Sequence, residues 1–294
     1  MAGLKEIRVR IASVSTTRQI TSAMKMVSAA KLKRAQDAIL QMRPYAEKLK
    51  EIISSVSEEM EQGDEDNVYG IVRPANKVLI VLITSNKGMC GAFNSSAIKT
   101  AVNLIHTKYA DQYAKGNVKF LPIGRKGNDF LNSKKYPVAG NHSKVFEKLT
   151  FENVQPIAEE LMKQFVKGEY DVIELVYNQF KNAAMQILTT EQFLPIVAEK
   201  QDHKKQTRIH FIYEPTREVI IQELIPKVIK MQLYKALLDS NASEHGARMT
   251  AMHKATDNAT EMIRSLSLTY NKERQASITN QILEVVGGAE ALKG

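Results

Sequence analysis

The sequence of 294 residues has no tryptophan, only one cysteine and no long hydrophobic run. The single cysteine, Cys90, excludes a disulfide within the chain and is typical of a reducing compartment. The longest purely aliphatic run, Val78 to Ile83, is far shorter than the ~20 residues of a membrane-spanning helix. Charged residues begin at Lys5 and no apolar segment follows them, so the sequence predicts no signal peptide.

Proline is absent from the whole stretch between residues 227 and 286, where Gly246 is also the only glycine. The absence of proline and the presence of a single glycine predict one continuous helix. Sixty helical residues span about 90 Å at ~1.5 Å per residue, which is longer than a small domain is wide. A partner helix or another protein must therefore cover much of this segment.

The positive charge is concentrated at the start of the chain. Residues 1–50 contain eleven Lys and Arg but three acids, and so carry +8 of the formal net charge of +9. A basic face of this kind suits nucleic acid, anionic lipid or an acidic protein surface, and a solvated helix face is the simpler alternative. The first twenty residues, with Glu6 as their only acid, also allow a transit peptide.

Apolar and small residues at both ends of the chain recur at alternating spacings of three and four, which is typical of two-helix seams. We expect a kink or break at Pro44, where a backbone donor is missing, and an exposed acidic loop over 58–66. The first stripe comprises Leu4, Ile7, Ile11, Val14, Arg18, Thr21, Ala35, Ile39, Met42, Ala46, Leu49, Ile53, Val56 and Met60. The second comprises Ile229, Leu233, Leu237, Met249, Met252, Ala255, Ala259, Ile263, Leu266 and Tyr270.

The central region alternates predicted strands and helices, which favours a mixed, largely parallel α/β sheet. Strands are predicted at 78–84, 118–123, 171–177, 185–195 and 209–213, and helices at 94–113, 125–132 and 153–167, with Gly124 closing the second strand. The fold class is thus α/β: a Rossmann-like domain inserted between two helices that pair as a long antiparallel coiled coil. The predicted boundaries are 1–60 for the first helix, 77–215 for the central domain and 216–294 for the last helix.

Candidate chemistry is sparse. The loop from Lys87 to Gly91 follows a strand and precedes a helix, where nucleotide-binding loops lie, but it matches neither phosphate-loop pattern. We therefore expect a tight loop packed on a neighbour. No sequence motif ties a histidine to Cys90, so we interpret Cys90 as a buried structural thiol rather than a nucleophile. His245 and His253 are eight residues apart, which does not suit a metal pair on one helix face.

Five segments resemble the gamma subunit of F-type ATP synthase, in the order found in that family and across essentially the full length. They are ITSAMKMVSAAKL with RPY (20–32 and 43–45), SNKGMCGAFN (85–94), EHGARMTAMHKATDNA (244–259) and YNKERQASITNQILEVVGGA (270–289). One departure is Gln281, where the family usually has Glu. It puts in doubt any contact that the missing carboxylate would make with the catalytic subunits.

The resemblance implies a central rotor shaft that has no cofactor or metal and is not itself an enzyme. Its implied partners are the ring of alpha and beta subunits, the epsilon subunit and the membrane c-ring, which proton or sodium flow turns. Catalysis of ATP synthesis and hydrolysis would stay on the beta subunit. The implied location is the cytoplasmic side of a bacterial inner membrane, as a peripheral part of the complex.

Two sets of contact residues follow from the family match. Arg274, Gln275 and Thr279, together with Met24 and Lys25, are expected to contact beta subunits. Tyr213 and Glu214 are expected to face the ring and epsilon. The simpler alternatives are a seam position for Met24 and an ordinary strand end for residues 213 and 214.

Two other functions are open to the sequence. A coiled-coil adaptor could bind nucleic acid through the basic helix, although the chain has no recognisable base-reading module. A nucleotide-dependent enzyme could be built on the α/β domain, and its turnover would then depend on Lys87 or Cys90.

Overall fold

The structure is a computed structural model, which describes residues 3–58, 68–196 and 217–291. The chain divides into two compact units. The end unit combines Met1–Ser28 with Met249–Gly294, and the α/β unit is Ala29–Arg248. The predicted acidic loop at 58–66, apart from Glu58 at the end of the first helix, and the predicted strand at 209–213 lie outside the described residues, as do Tyr213 and Glu214.

Helix α1, Leu4–Glu58, has the narrow buried stripe that the sequence predicts. Its buried positions fall almost entirely on the predicted spacing: Ile7, Thr21, Ser28, Leu32, Ala35, Ile39, Met42 and Leu49. Of the kink or break predicted at Pro44, the break is wrong, because the helix runs through it, and the kink stays a prediction. Pro44 has no N–H to donate to the carbonyl of Leu40, one turn earlier. Both residues are exposed, so this carbonyl lies on the solvent-facing side of the helix.

In the described part of the chain, four strands form one sheet in the order β2-β1-β3-β4, where β1 is Val78–Ile83, β2 is Val118–Ile123, β3 is Val172–Phe180 and β4 is Gln186–Leu194. Strand β1 is parallel to both β2 and β3, and β4 is antiparallel to β3. The prediction of a mixed, largely parallel sheet is confirmed. Every side chain of β1 is fully buried, which explains why its sequence is apolar throughout rather than alternating.

The two faces of the sheet carry two separate cores, because successive side chains of a strand point to opposite faces. Leu79, Val81 and Ile83 belong to the core that includes helices α5 and α6. Ile80 and Leu82, on the other face, belong to the core that includes helix α2. Helix α2 is Phe93–Thr107, α5 is Phe151–Val166 and α6 is Arg217–Ala291.

One predicted helix is two in the structure. Instead of a single helix over 94–113, α2 ends at Thr107 and a short α3, Ala110–Ala114, follows. Tyr109 leaves the helical conformation between them and turns inward, where its hydroxyl donates to the buried carboxylate of Glu174 on β3. The remaining short helices, α4 (Arg125–Ser133) and a 3₁₀ turn (Ser143–Glu147), connect β2 to α5.

Helix α6 has 75 residues and extends beyond both ends of the proline-free stretch 227–286, close to the predicted boundaries 216–294. It runs through Pro226, where Ile225 and Ile229 on either side are buried in the core and stabilise the helix despite one lost hydrogen bond. It also runs through Gly287 and Gly288, since a glycine costs a helix only about 1 kcal/mol. No helix in the described ranges is both long and apolar enough to span a membrane.

Candidate functional site

The loop between β1 and α2 is closed by its own hydrogen bonds. The side-chain oxygen of Asn94 accepts from the Ser85 backbone N–H at 2.9 Å. The Ser85 hydroxyl lies 2.7 Å from the Lys87 carbonyl. Met89 at the tip is exposed and has a φ of 61°, in the left-handed region that non-glycine residues seldom adopt. These contacts form a tight loop with a fixed backbone.

Cys90 is buried inside this loop, where its sulfur lies 3.2 Å from the side-chain nitrogen of Asn94 and 3.8 Å from the Ser85 hydroxyl. Burial raises the pKa of the Cys90 thiol. A nucleophilic cysteine needs the opposite shift, toward the thiolate. The prediction of a structural thiol is confirmed.

Arg248 of α6 holds the loop from outside. Its Nη2 donates to the Lys87 carbonyl at 2.8 Å and to the Gly88 carbonyl at 3.2 Å, and its Nε donates to the same Gly88 carbonyl at 3.2 Å. Its Nη1 lies 2.7 Å from Glu244 Oε1 and 3.3 Å from His245 Nδ1. All five N–H donors of the guanidinium therefore have an acceptor, although only 9% of the side chain is exposed.

Two further titratable groups border the guanidinium. Burial raises the pKa of Glu244, and the charge of Arg248 partly opposes that shift. Burial lowers the pKa of His245 to about 4, and the positive charges of Arg248 and Lys31 lower it further. Because Arg248 can only donate, the Nδ1 of His245 must accept, so its ring is neutral and carries its proton on Nε2.

This geometry confirms that the loop packs on a neighbour. Phosphate-binding loops at the carboxyl end of a parallel strand present backbone N–H groups to an anion. Here the carbonyls of Lys87 and Gly88 face a cation, which is the opposite polarity. The loop occupies the place of a nucleotide loop in the sheet, but its hydrogen bonds serve attachment to α6. Among the described residues, no cluster of His, Cys, Asp and Glu could hold a metal ion.

The residues expected to contact beta subunits lie in the end unit. Arg274, Gln275 and Thr279 are exposed on α6, and the Thr279 hydroxyl donates to the Gln275 carbonyl at 2.9 Å. Met24 and Lys25 are half-buried on α1. The two helices meet at Thr21 and Thr256, whose hydroxyl oxygens are 2.9 Å apart.

These predicted residues form two groups rather than one site. Arg274 follows Thr256 by 18 residues, which is about 27 Å along a helix at ~1.5 Å per residue. Met24 lies only three residues from Thr21. Their contact role stays a prediction. Gln281 is exposed on the same helix.

The end of α6 exposes a run of large apolar side chains. From residue 278 onward every described side chain of the helix is exposed. The apolar members are Ile278, Ile282, Leu283, Val285 and Val286. Exposed apolar side chains grouped in this way are typical of a site of interaction with another protein.

Arg248 and Glu244 were not among the predicted site residues, although both lie in the segment 244–259 that carries the family resemblance. The available signal was a Glu and an Arg four residues apart on a helix, which can form an ion pair. The loop carbonyls that complete the site are 160 residues away in sequence and carry no side-chain signal.

Comparisons with known proteins agree along the whole chain. A protein-family model described as ATP synthase matches residues 3–292. The ATP synthase gamma chain of Flavobacterium johnsoniae is 60% identical over 294 residues, covering 100% of both chains. That of Cytophaga hutchinsonii is 50% identical and covers 99% of both. These matches give the nucleic-acid interpretation of the basic helix no support.

Solved structures match as well. The central stalk and c-ring structure of the mitochondrial ATP synthase of Tetrahymena thermophila contains a chain that is 26% identical, with a TM-score of 0.58, covering 80% of this chain and 99% of that one. A chain in the mitochondrial ATP synthase of Euglena gracilis has a TM-score of 0.67 at 18% identity, covering 98% of this chain and 94% of that one, and it shows the fold alone.

Proposed function

The chain belongs to the ATP synthase gamma chain family, and on that premise we propose that it is the central rotor shaft of an F-type ATP synthase. The observation that carries the proposal is the end of α6, where five large apolar side chains are exposed on a helix too long for one domain to cover. A ring of catalytic subunits around the helix would cover them. Ring rotation in the membrane would turn the shaft.

The shaft itself performs no chemistry in this mechanism. Its helices, α1 and α6, pair as an antiparallel coiled coil, supported by the three-four stripe on α1 and by the Thr21–Thr256 contact. Because the shaft is asymmetric, each catalytic subunit meets a different face as it turns. Differential contacts then shift each beta site among conformations of different nucleotide affinity.

The contact residues divide between two ends. Arg274, Gln275 and Thr279 contact beta subunits at the upper end, and Met24 and Lys25 contact them from α1. The exposed polar side chains of Arg274, Gln275 and Thr279 support that assignment. Tyr213 and Glu214 contact the c-ring and epsilon, a role that rests on the family match alone.

The central domain, 77–215, sits on the membrane ring beside epsilon, and the chain associates with the membrane only through the complex. We place it on the cytoplasmic side of a bacterial inner membrane, as a peripheral component. The basic first helix, with +8 over residues 1–50, suits acidic loops of the alpha and beta subunits.

Co-purification tests the proposal. The chain carrying an affinity tag should bring alpha, beta and epsilon with it in a complex that hydrolyses ATP, while the chain alone shows no turnover. Isolation of the tagged chain without these subunits would reject the rotor function. Turnover by the chain alone, lost on changing Lys87 or Cys90, would instead support an enzyme.

A double substitution tests the upper contacts. Arg274→Ala with Gln275→Ala removes two polar side chains from the exposed helix, so we expect weaker assembly or lower coupled ATP synthesis, with nucleotide chemistry in beta unaltered. Assembly is measured by the yield of the intact complex, and coupling by ATP synthesis in membrane vesicles. Lys134→Ala, an exposed residue after α4, is the control. Wild-type assembly and synthesis in the double variant would contradict the assigned role.

A further inference from the structure

Helix α6 passes between two loops of the α/β unit at residues 246–248. On one side, Arg248 binds the carbonyls of Lys87 and Gly88. On another, Gly246 lies against the β3–β4 turn, where an added Cβ would be 3.1 Å from the Ala183 carbonyl oxygen and 3.2 Å from its Cα. Positions 246 and 248 are about 200° apart around a helix of 3.6 residues per turn, so the two contacts lie on opposite sides of α6.

Both contacts are made with backbone that is itself fixed. In the β3–β4 turn, the side-chain oxygen of Asn182 accepts from the N–H groups of Ala184 at 3.0 Å and Met185 at 2.7 Å. The facing loop is closed by Ser85 and Asn94. Neither loop needs a flexible side chain of its own to meet the helix.

Lower on α6 most attachments differ in kind, although the Gln232 side chain also donates to the Gln192 carbonyl, at 3.3 Å in an exposed position. Ile229, Leu233 and Leu237 pack into the core below the sheet, and such contacts are non-directional, so by themselves they resist rolling of a helix only weakly. The polar contact of Lys230 with Glu159, at 2.7 Å, joins two side chains, and the Glu159 side chain is 36% exposed. A side-chain pair at the rim can follow a small rotation of the helix.

We propose that loop 85–91 and the β3–β4 turn grip α6 from opposite sides at Gly246–Arg248 and prevent it from turning about its own axis relative to the sheet. Arg248 is thus a positioning residue that transmits torque between the α/β unit and α6. The inference rests on the proposed rotor function, because only a rotating part needs such a lock. Arginine is required, since a lysine ammonium has three donors for the five bonds that the guanidinium makes.

The thiol of Cys90 reports on the loop directly, because it is the only one in the chain and is buried within loop 85–91, where its sulfur lies 4.0 Å from the Lys87 carbonyl. In the tagged complex, Arg248→Gln should speed modification of Cys90 by a thiol reagent about tenfold or more. Loss of a hydrogen bond to a charged group should increase the equilibrium constant for loop opening by about 10- to 100-fold. Arg248→Lys should give a smaller increase. Lys230→Gln, which removes the lower ion pair, should leave the modification rate unchanged.

Coupling is measured on the same variants in membrane vesicles. We expect ATP hydrolysis to continue in Arg248→Gln and Arg248→Lys while proton pumping per ATP hydrolysed falls, and to see the same loss with Gly246→Leu on the opposite side. Lys230→Gln should pump as the wild type does. If Arg248→Gln does not fold, Arg248→Lys alone decides the result.

Two outcomes would overturn the grip: wild-type pumping per ATP in Arg248→Lys and Gly246→Leu, or an equal loss in Lys230→Gln. The rotor function would fail differently, because the wild-type chain would then not assemble with alpha and beta subunits at all. If the wild-type complex is coupled and the variants at Arg248 and Gly246 are coupled equally well, only the grip is rejected and the rotor function stands.

Discussion

At the scale of single residues, Gly124 is fixed by the approach of two strand ends. Its φ is 129°, and an added Cβ would lie 2.1 Å from the carbonyl oxygen of Thr84. Gly124→Ala should therefore destabilise the protein by more than about 3 kcal/mol, measured by urea unfolding of the full chain. Gly116→Ala is the control for backbone strain without a steric clash, because the φ of Gly116 is 74° and no atom lies within 4 Å of the added Cβ. We expect it to lower the free energy of unfolding by about 1 kcal/mol. Equal losses would contradict the predicted collision.

His245 should make stability depend on pH. Its pKa is about 4 in the folded chain against a usual 6.5, so between these values the unfolded chain binds a proton that the folded chain does not. The contribution of His245 to the free energy of unfolding is therefore fully present above pH 6.5 and is lost as the pH falls toward 4. At pH 5 the loss is about 1 kcal/mol after allowance for partial exposure.

Urea unfolding at pH 7 and pH 5 measures this loss, which should be smaller in His245→Gln. Glu244 acts in the opposite direction, because its raised pKa makes the folded chain bind more protons, but it is present in both proteins. His253→Gln, an exposed histidine of the same helix, is the control. A difference between pH 7 and pH 5 that is the same in His245→Gln and the wild type would contradict the prediction.

Sequence reasoning reached Gly124 and Cys90 because each has a local signal: a glycine at a strand end and a lone cysteine in a short loop. It missed Arg248, since the bonds that define its role go to backbone carbonyls, and any residue type at 87 and 88 supplies those. Gly246 was noticed only as an exception within the helix. A glycine is needed at position 246 because the backbone of Ala183 lies against it. That contact depends on the β3–β4 turn, whose position beside α6 is set by the sheet.

At the scale of elements, the junction of α2 and α3 depends on Tyr109. The buried Glu174 accepts from Tyr109 and is paired with Lys108, through the same carboxylate oxygen. Tyr109→Phe removes one of these two partners, so we expect a loss of about 1–3 kcal/mol in the free energy of unfolding. Tyr113→Phe, on a half-buried ring in α3, is the matched control and should change little. A Tyr109→Phe chain as stable as the wild type would show that the hydroxyl does not hold the junction.

The strands could be predicted closely because turn residues bound them and because the side chains of β1, β2 and β3 are mostly buried. The ends of the helices could not, because tertiary contacts decide them. The helical pattern continues past Thr107, but the hydroxyl of Tyr109 reaches a carboxylate 65 residues later and the helix stops. Conversely, α1 runs through Pro44 because the carbonyl left without a donor faces solvent, and α6 runs through Pro226 because Ile225 and Ile229 are buried in the core.

At the scale of the whole molecule, the exposure of α6 predicts where the isolated chain is cut. Lys272 and Arg274 lie where the helix has lost most of its buried side chains, whereas residues 236–248 are almost completely buried. Brief trypsin treatment of the full chain should therefore release the last turns of α6 before the α/β unit is cleaved. Addition of alpha and beta subunits should protect these sites. Earlier cleavage within the sheet would contradict this order.

The end unit is built from the two ends of the chain, which the ribosome synthesises at different times. Its two helical parts are the first 28 and the last 46 residues of the chain, so Thr21 leaves the ribosome more than 200 residues before Thr256. At 5–20 residues per second, the first helix waits about 10–50 s for its partner. During that time the α/β unit can fold, while Ile7 and its neighbours stay exposed to chaperones and to other nascent chains. The polar, basic character of that helix keeps it soluble while it waits.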